Sequence, residues 1–280
     1  MTTTPVAMAA ASAQAAPPPT TPTTSGDLIR GWRTRRRLSQ LELASRTGVS
    51  TRHLSFLETG RSTPSRTMVL HLAEHLDLPL RDRNQLLLSA GFAPVHPESS
   101  LHSPQMLAIR QALRRLLEGH SPYPAVVVDR WWNLVEANDS LLRLLSGVAE
   151  HLLRPPVNVL RVSLHPDGVA PRIANLGQWR GHLLGRLRRQ VALTADAELA
   201  DLLSELESYP NDEPEEEAHG PGEVVIPLRL RVDERTEISL LSTVATFGTP
   251  LDVTVAELVI ESFFPADAAS GIVLRNLLGT

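Results

Sequence analysis

QLELASRTGVSTRHLSFLETG, residues 40–60, holds two short helices and the turn between them. Ser39 stands just before this stretch and Ser50 inside it, each directly ahead of an apolar-periodic run, which is where a helix N-cap belongs. The helices are joined at Gly48-Val49-Ser50. Ala44 and Gly48, four apart, meet two separate needs: a small side chain where helices cross closely, and a residue that tolerates positive φ in the turn. Val49, Leu54 and Leu57 then face a core, which leaves Thr51, Arg52 and Ser55 on the outer face of the second helix.

Reading outward from this pair, Asp27 is positioned to cap a preceding helix that carries Leu28, Ile29 and Trp32 and ends in Arg35, Arg36 and Arg37. Gly60 ends the helix that follows Ser50, and Pro64 breaks the next loop. Residues 66–76 continue as a helix with Met68, Leu72, Ala73 and Leu76 inward, and a fifth helix follows Pro79. Residues 93–104 contain Pro94, Pro97 and Pro104 among serines, the composition of a connector. Residues 1–25, rich in Ala, Thr and Pro and free of charge, read as a disordered tail.

The charge is divided between two parts of the chain. Residues 27–92 hold 11 arginines against 6 acids, whereas the whole chain has 27 basic and 31 acidic side chains and a net charge of -4. A basic module is therefore joined to an acidic one, and the basic part is expected to meet a polyanion. Every basic residue is Arg, consistent with a GC-rich bacterial genome. The chain has no cysteine, which excludes thiol nucleophiles, disulfides, thiolate zinc sites and iron–sulfur clusters, and is compatible with a reducing, cytoplasmic setting. No window has the ~18 consecutive apolar residues of a membrane span.

The frame of Gln40, Ala44, Gly48, Leu54, Glu58 and Gly60 resembles the Xre/Cro-type helix-turn-helix. That resemblance implies an all-α DNA-binding domain over 26–92, with the helix from Thr51 to Thr59 in the major groove and Thr51, Arg52 and Ser55 at base edges. Arg52 is the strongest candidate, since Arg paired bidentately with guanine is the commonest specific contact. Gln40, Ser50, Arg61 and Arg66 are the expected backbone contacts, near helix N-termini or beyond the recognition helix. Arg33 and Glu58 occupy positions that are paired internally in relatives, so Arg33 is expected to be structural.

After the connector, the pattern runs helix (105–118), two strand-like runs (Ala125–Val128 and Trp132–Ala137) with Asp129-Arg130 as a tight turn, a Leu-rich helix from Asn138, and two helical pieces over 171–207. An acidic stretch, 211–217 (NDEPEEE), reads as a solvated loop, and 224–230, 238–244 and 253–261 return to strand pattern. The order suggests an antiparallel sheet with helices segregated to one side. YPAVVVDRWWNLVEAN, NVLRVSLHPDG, NLGQWRGHLLGRLRRQ and LSTVATFGTPLDVTVAELVIESFFPAD resemble the ligand-binding domain of MmyB-type regulators, a PAS-like α+β sensor fold, here over 105–275. The family implies a two-domain transcriptional regulator, and a relative's sensor domain is similar to one that accepts a fatty acyl chain, which makes a fatty-acyl-like ligand the expectation here. Trp132 and Trp179 are the candidate apolar wall, and Arg161, His165 and Arg180 the candidates for the head group.

Two other patterns compete for attention. His71-Leu72-Ala73-Glu74-His75 matches the H-x-x-E-H zinc peptidase pattern, but it falls on a core helix of the bundle, where His71 and His75 are expected at the surface and no metal is assigned. Ser163, His165 and Asp167 lie close in sequence without a nucleophile elbow, and there is no P-loop or dinucleotide fingerprint. The expectation is a sequence-specific regulator and not an enzyme, using no cofactor, binding a palindromic operator as a homodimer and responding to an apolar ligand. The alternative is a DNA-bound assembly protein whose second domain only dimerises or recruits a protein partner.

Overall fold

The computed structural model describes residues 23–211 and 225–278. Of the expected tail (1–25) and acidic loop (211–217), all but residues 23–25 and 211 lie outside the described residues.

Five helices form the N-terminal bundle: α1 (Ser25–Arg35), α2 (Gln40–Thr47), α3 (Thr51–Glu58), α4 (Arg66–His75) and α5 (Leu80–Ser89). Ser39 and Ser50 cap as their positions predict, the Ser39 hydroxyl accepting from the Glu42 amide at 3.1 Å and that of Ser50 from the His53 amide at 3.2 Å. Gly48 ends α2 in the left-handed region at φ 66°. The start of α1 departs from expectation. Thr24 is its cap, and Asp27 is the third residue of a capping box whose carboxylate reaches back to the Thr24 amide at 3.1 Å. This earlier start lays Gly26 against α3, where a Cβ would lie 2.5 Å from the Leu57 carbonyl oxygen, so only glycine permits the crossing. Ile29, Trp32, Leu43, Leu54, Leu57 and Leu72 pack in the core between these helices.

The second domain follows as α6 (Leu107–Gly119), β1 (Ala125–Val128), β2 (Leu134–Ala137), α7 (Asp139–Leu144), α8 (Val159–Leu164), α9 (Leu176–Thr194) and α10 (Ala197–Ser208). It is completed by β3 (Leu228–Arg231), β4 (Glu237–Ala245), α11 (Val253–Ala256), β5 (Val259–Pro265) and α12 (Ala268–Leu278). The strands form one antiparallel sheet in the order β2-β1-β5-β4-β3. It is the α+β, PAS-like arrangement. Alternation sends Val126, Val128, Leu230, Ile238 and Leu240 to a core shared with α8, α9 and α10, and Ala125, Val127 and Ile260 to the opposite face.

That opposite face is covered by α6 through Leu113 and Leu117, so helices lie on both sides of the sheet instead of one. The unbroken apolar run of β1 is the corresponding sequence signal, since a strand buried on both faces need not alternate. In α6, Leu107 and Leu116 are exposed. Two further elements differ from expectation. The β1–β2 connection is a longer loop, because the Asp129 carboxylate accepts from the amides of Trp131 and Asn133, both at 2.8 Å, and holds residues 129–133 as a turn. Residues 253–256 are helical because Asp252 caps them, accepting from the Thr254 amide at 2.8 Å, so the last strand begins only at Val259.

The Pro- and Ser-rich connector is latched to both domains. The Asn84 side chain accepts from the amides of Val95 and His96 and donates to the His96 carbonyl. The Val253 amide donates to the Pro97 carbonyl, and the Ser99 amide to Asp252. Arg81 on α5 then reaches across to Glu257, with Nε and Nη2 donating at 2.7 and 2.8 Å, and to Glu98 at 2.6 Å. Its hydrogen bonds to Glu257, foremost, hold the Arg81 guanidinium well above its ordinary pKa against the cost of burial.

Candidate functional site

The outward face of α3 is built by its own spacing. With Leu54 and Leu57 fully buried, Thr51 and Arg52 are exposed and Ser55 is half-buried beside them. Phe56, which the sequence reading did not single out, lies half-buried between two cations, with the guanidinium carbons of Arg52 and Arg61 at 5.4 and 6.0 Å from its ring centre. Arg66 is exposed at the first position of α4, after the Ser65 cap. Of the basic run ending α1, Arg36 is structural, donating to the carbonyls of Leu76 and Asp77, and Arg35 stacks 4.2 Å from the Trp32 ring centre.

Beneath this face sits a buried carboxylate. Glu58 accepts from Arg33 Nε at 2.6 Å and Nη2 at 2.9 Å, and from the Gln40 side-chain amide at 2.8 Å. Arg33 also donates to the Leu38 carbonyl. Burial opposes the charge on Glu58, but the hydrogen bonds from Arg33 and Gln40 outweigh it and hold the pKa below the ordinary carboxylate value. The Arg33–Glu58 pairing is therefore present as the resemblance implies, and the Gln40 donor is turned inward to it. His71 Nε2 lies 2.8 Å from the Thr47 carbonyl and His75 Nδ1 3.0 Å from the His71 carbonyl. Both are half-buried rather than at the surface, and the carbonyls require each of those nitrogens to carry the proton.

In the second domain a cavity of about 110 Å³ opens between the sheet and α7, α8 and α9. Trp132 and Trp179 form part of its wall. The three candidate head-group residues are absent from its lining. Arg161 is forked onto Glu205, with Nη2 donating at 2.7 Å, and this hydrogen bond depresses the Glu205 pKa. His165 packs edge-on to Tyr209 at 4.9 Å between ring centres, and buried Arg180 donates to the Glu207 carbonyl. Ser163 does line the cavity, but its hydroxyl accepts from Trp179 Nε1 and His165 Nδ1 accepts from the Asp167 amide, so the three form no relay.

Trp132 is the joint between this cavity and the domain junction. It holds a left-handed conformation at φ 67°, a strain of about 1–3 kcal/mol for a non-glycine residue. Its Nε1 donates to Gln190 at 2.9 Å, and Gln190 Nε2 donates to the Arg130 carbonyl at 2.7 Å. Arg130 in turn donates to Asp196 at 2.5 Å and to Glu257 at 3.0 Å, the same carboxylate that holds Arg81 of α5.

A helix-turn-helix bundle with outward arginines, joined to an α+β domain with an apolar cavity, is the architecture of a ligand-binding, DNA-binding transcription regulator. Residues 109–277 match the family described as MmyB-like transcription regulator ligand binding domain, and residues 26–86 match a helix-turn-helix domain. The first match spans more than half of the chain, and the chain belongs to the MmyB-like transcription regulators. No curated protein matches it. Among solved structures, it is similar to an RNA-binding light-oxygen-voltage receptor at 14% identity and a TM-score of 0.29, covering 91% of this chain and 60% of that one. The chain thus spans less than two thirds of that receptor, a likeness too distant to bear on function. No helix among the described residues is long and apolar enough to cross a membrane.

Proposed function

We propose that this regulator reads a palindromic operator as a homodimer, and that a small apolar, acyl-like ligand in the second domain modulates its grip on DNA. Residues 26–92 form the reading unit, 105–275 the sensing and dimerising unit, and 93–104 their connector. Two recognition helices would then enter half-sites one helical turn apart, ~34–36 Å. Thr51, Arg52 and Ser55 meet bases, and Gln40, Ser50, Arg61 and Arg66 meet phosphates, Gln40 through the start of α2. The observation that carries the sensing role is the cavity with Trp132 in its wall, tied through Gln190 and Arg130 to the carboxylate that holds α5. A cavity unconnected to the bundle would bind without regulating. The regulator architecture argues against catalysis.

Arg52→Ala is expected to relax discrimination at one base pair by about 1–3 kcal/mol. Arg66→Ala is expected to weaken binding to all sequences alike and reduce the salt slope by about one unit. Titrations on operator and random duplex at several salt concentrations separate the two, and equal losses on both duplexes for Arg52→Ala contradict base reading. Filling the cavity with Leu183→Trp is expected to abolish the effect of a bound apolar ligand on operator affinity while leaving ligand-free binding within about threefold, since Leu183 lies in the lining far from α3. A ligand response that survives this substitution removes the cavity from the mechanism.

A further inference from the structure

The cavity is apolar almost throughout, yet one charged side chain lines it among the described residues: Glu261. Its placement follows from the strand. Val259, Glu261 and Phe263 alternate onto the cavity side of β5, and Glu261 is paired in register with Val126 and Val244 on the neighbouring strands. The residue is 5% exposed, and one carboxylate oxygen accepts from Arg186 Nη1 at 3.0 Å. Arg186 stacks over Trp132, its guanidinium carbon 4.7 Å from the ring centre. The cation that balances Glu261 is not itself a lining residue, and among the described residues the lining contains no Arg or His. Ser163 is the other side chain there with an oxygen to offer, and with its oxygen accepting from Trp179 its own proton is available to donate.

The geometry points to a ligand whose apolar chain ends in a hydrogen-bond donor, a hydroxyl or an ammonium, bound head-first to Glu261, and not to a free fatty acid. This rests on the reading of the cavity as a ligand site. An ionised carboxylate is acceptor-only, so a donor head satisfies it directly, whereas a second carboxylate brought beside it in an apolar enclosure meets like charge without a facing cation. The apolar walls contribute affinity to any chain of suitable size. Glu261 sets which head is admitted.

The test uses three probes that share one chain: 1-octanol, octylamine and octanoate. They are titrated into the full-length protein at pH 7, following the emission of the lining tryptophans. Octanol and octylamine are expected to bind about tenfold or more tightly than octanoate, the scale of one hydrogen bond to a charged group. Glu261→Gln, which keeps the volume and removes the charge, is expected to close that gap by strengthening octanoate and weakening octylamine. Octanoate binding as tightly as the others to the unaltered protein would overturn the head-group assignment and leave the ligand cavity standing; this comparison needs no variant to fold. An unchanged preference in a folded Glu261→Gln protein overturns it equally. Uptake of none of the three probes defeats the cavity reading itself, and the head-group assignment with it.

Discussion

Replacing Glu58 with alanine is expected to remove about 3–5 kcal/mol from the stability of the N-terminal bundle, the usual loss when one member of a buried ion pair is deleted. The Glu58 side chain is 1% exposed and that of Arg33 13%, so neither group has water to fall back on. Three donors converge on this carboxylate, two from α1 and one from the first residue of α2, while Glu58 itself ends α3. The substitution strands the Arg33 guanidinium and the Gln40 amide and loosens the seat of the recognition helix. A small domain has only about 5–15 kcal/mol in total, so operator binding at 37 °C should fail along with stability. Denaturant unfolding of the full chain checks the loss, and a change below about 1 kcal/mol would show that the pair does not hold the bundle.

The same carboxylate fixes a pH dependence. Its pKa is lowered on folding from an ordinary 4.5. A depressed carboxylate contributes stability that is fully present above its unfolded pKa and is lost as pH falls through the folded value. The stability that Glu58 contributes is thus expected to be undiminished from neutrality down to about 5 and to fall away below 4.5, with the Glu58→Gln variant showing less of that acid loss. A bundle that weakens between pH 7 and 5 would place the cause elsewhere.

The helix-turn-helix was legible because its signals are local. Ser39, Ser50 and Gly48 act within a turn of themselves, and the apolar spacing of Leu54 and Leu57 fixes which face looks outward. The misread boundaries share one cause: a short acidic side chain captured backbone amides. Asp129 lengthened the hairpin loop and Asp252 turned an expected strand into α11. The head-group candidates were illegible for the opposite reason. The partner of Arg161, Glu205, lies in α10, 44 residues away, and no spacing in the sequence announces it. Glu261 did carry a signal, an acid amid apolar residues on a strand, but its face follows only from the register of β5, which the misplaced start of that strand obscured.

Arg130→Ala is expected to uncouple the two domains while leaving each folded. Arg130, Asp196 and Glu257 have side chains 13–17% exposed, and removing the arginine leaves Asp196 without its cation and Glu257 with Arg81 alone. The cost is about 3 kcal/mol, most of it at the junction, because Asp196 retains its capping role at α10 and Arg81 still holds Glu257. The functional consequence is the loss of the ligand response. A bound ligand alters DNA affinity only by what it does differently in the two states of the bundle, a coupling typically of 1–3 kcal/mol, or about 5–150-fold. With Trp132 strained at the cavity wall and joined to α5 through Gln190, Arg130 and Glu257, that coupling is expected to fall to near onefold in Arg130→Ala, with cavity affinity for octanol kept within about threefold. The measurement is operator affinity with and without octanol, for both proteins. If octanol shifts the variant and the unaltered protein by the same factor, the signal reaches the bundle by another path; if the variant no longer binds octanol, Arg130 serves the cavity itself.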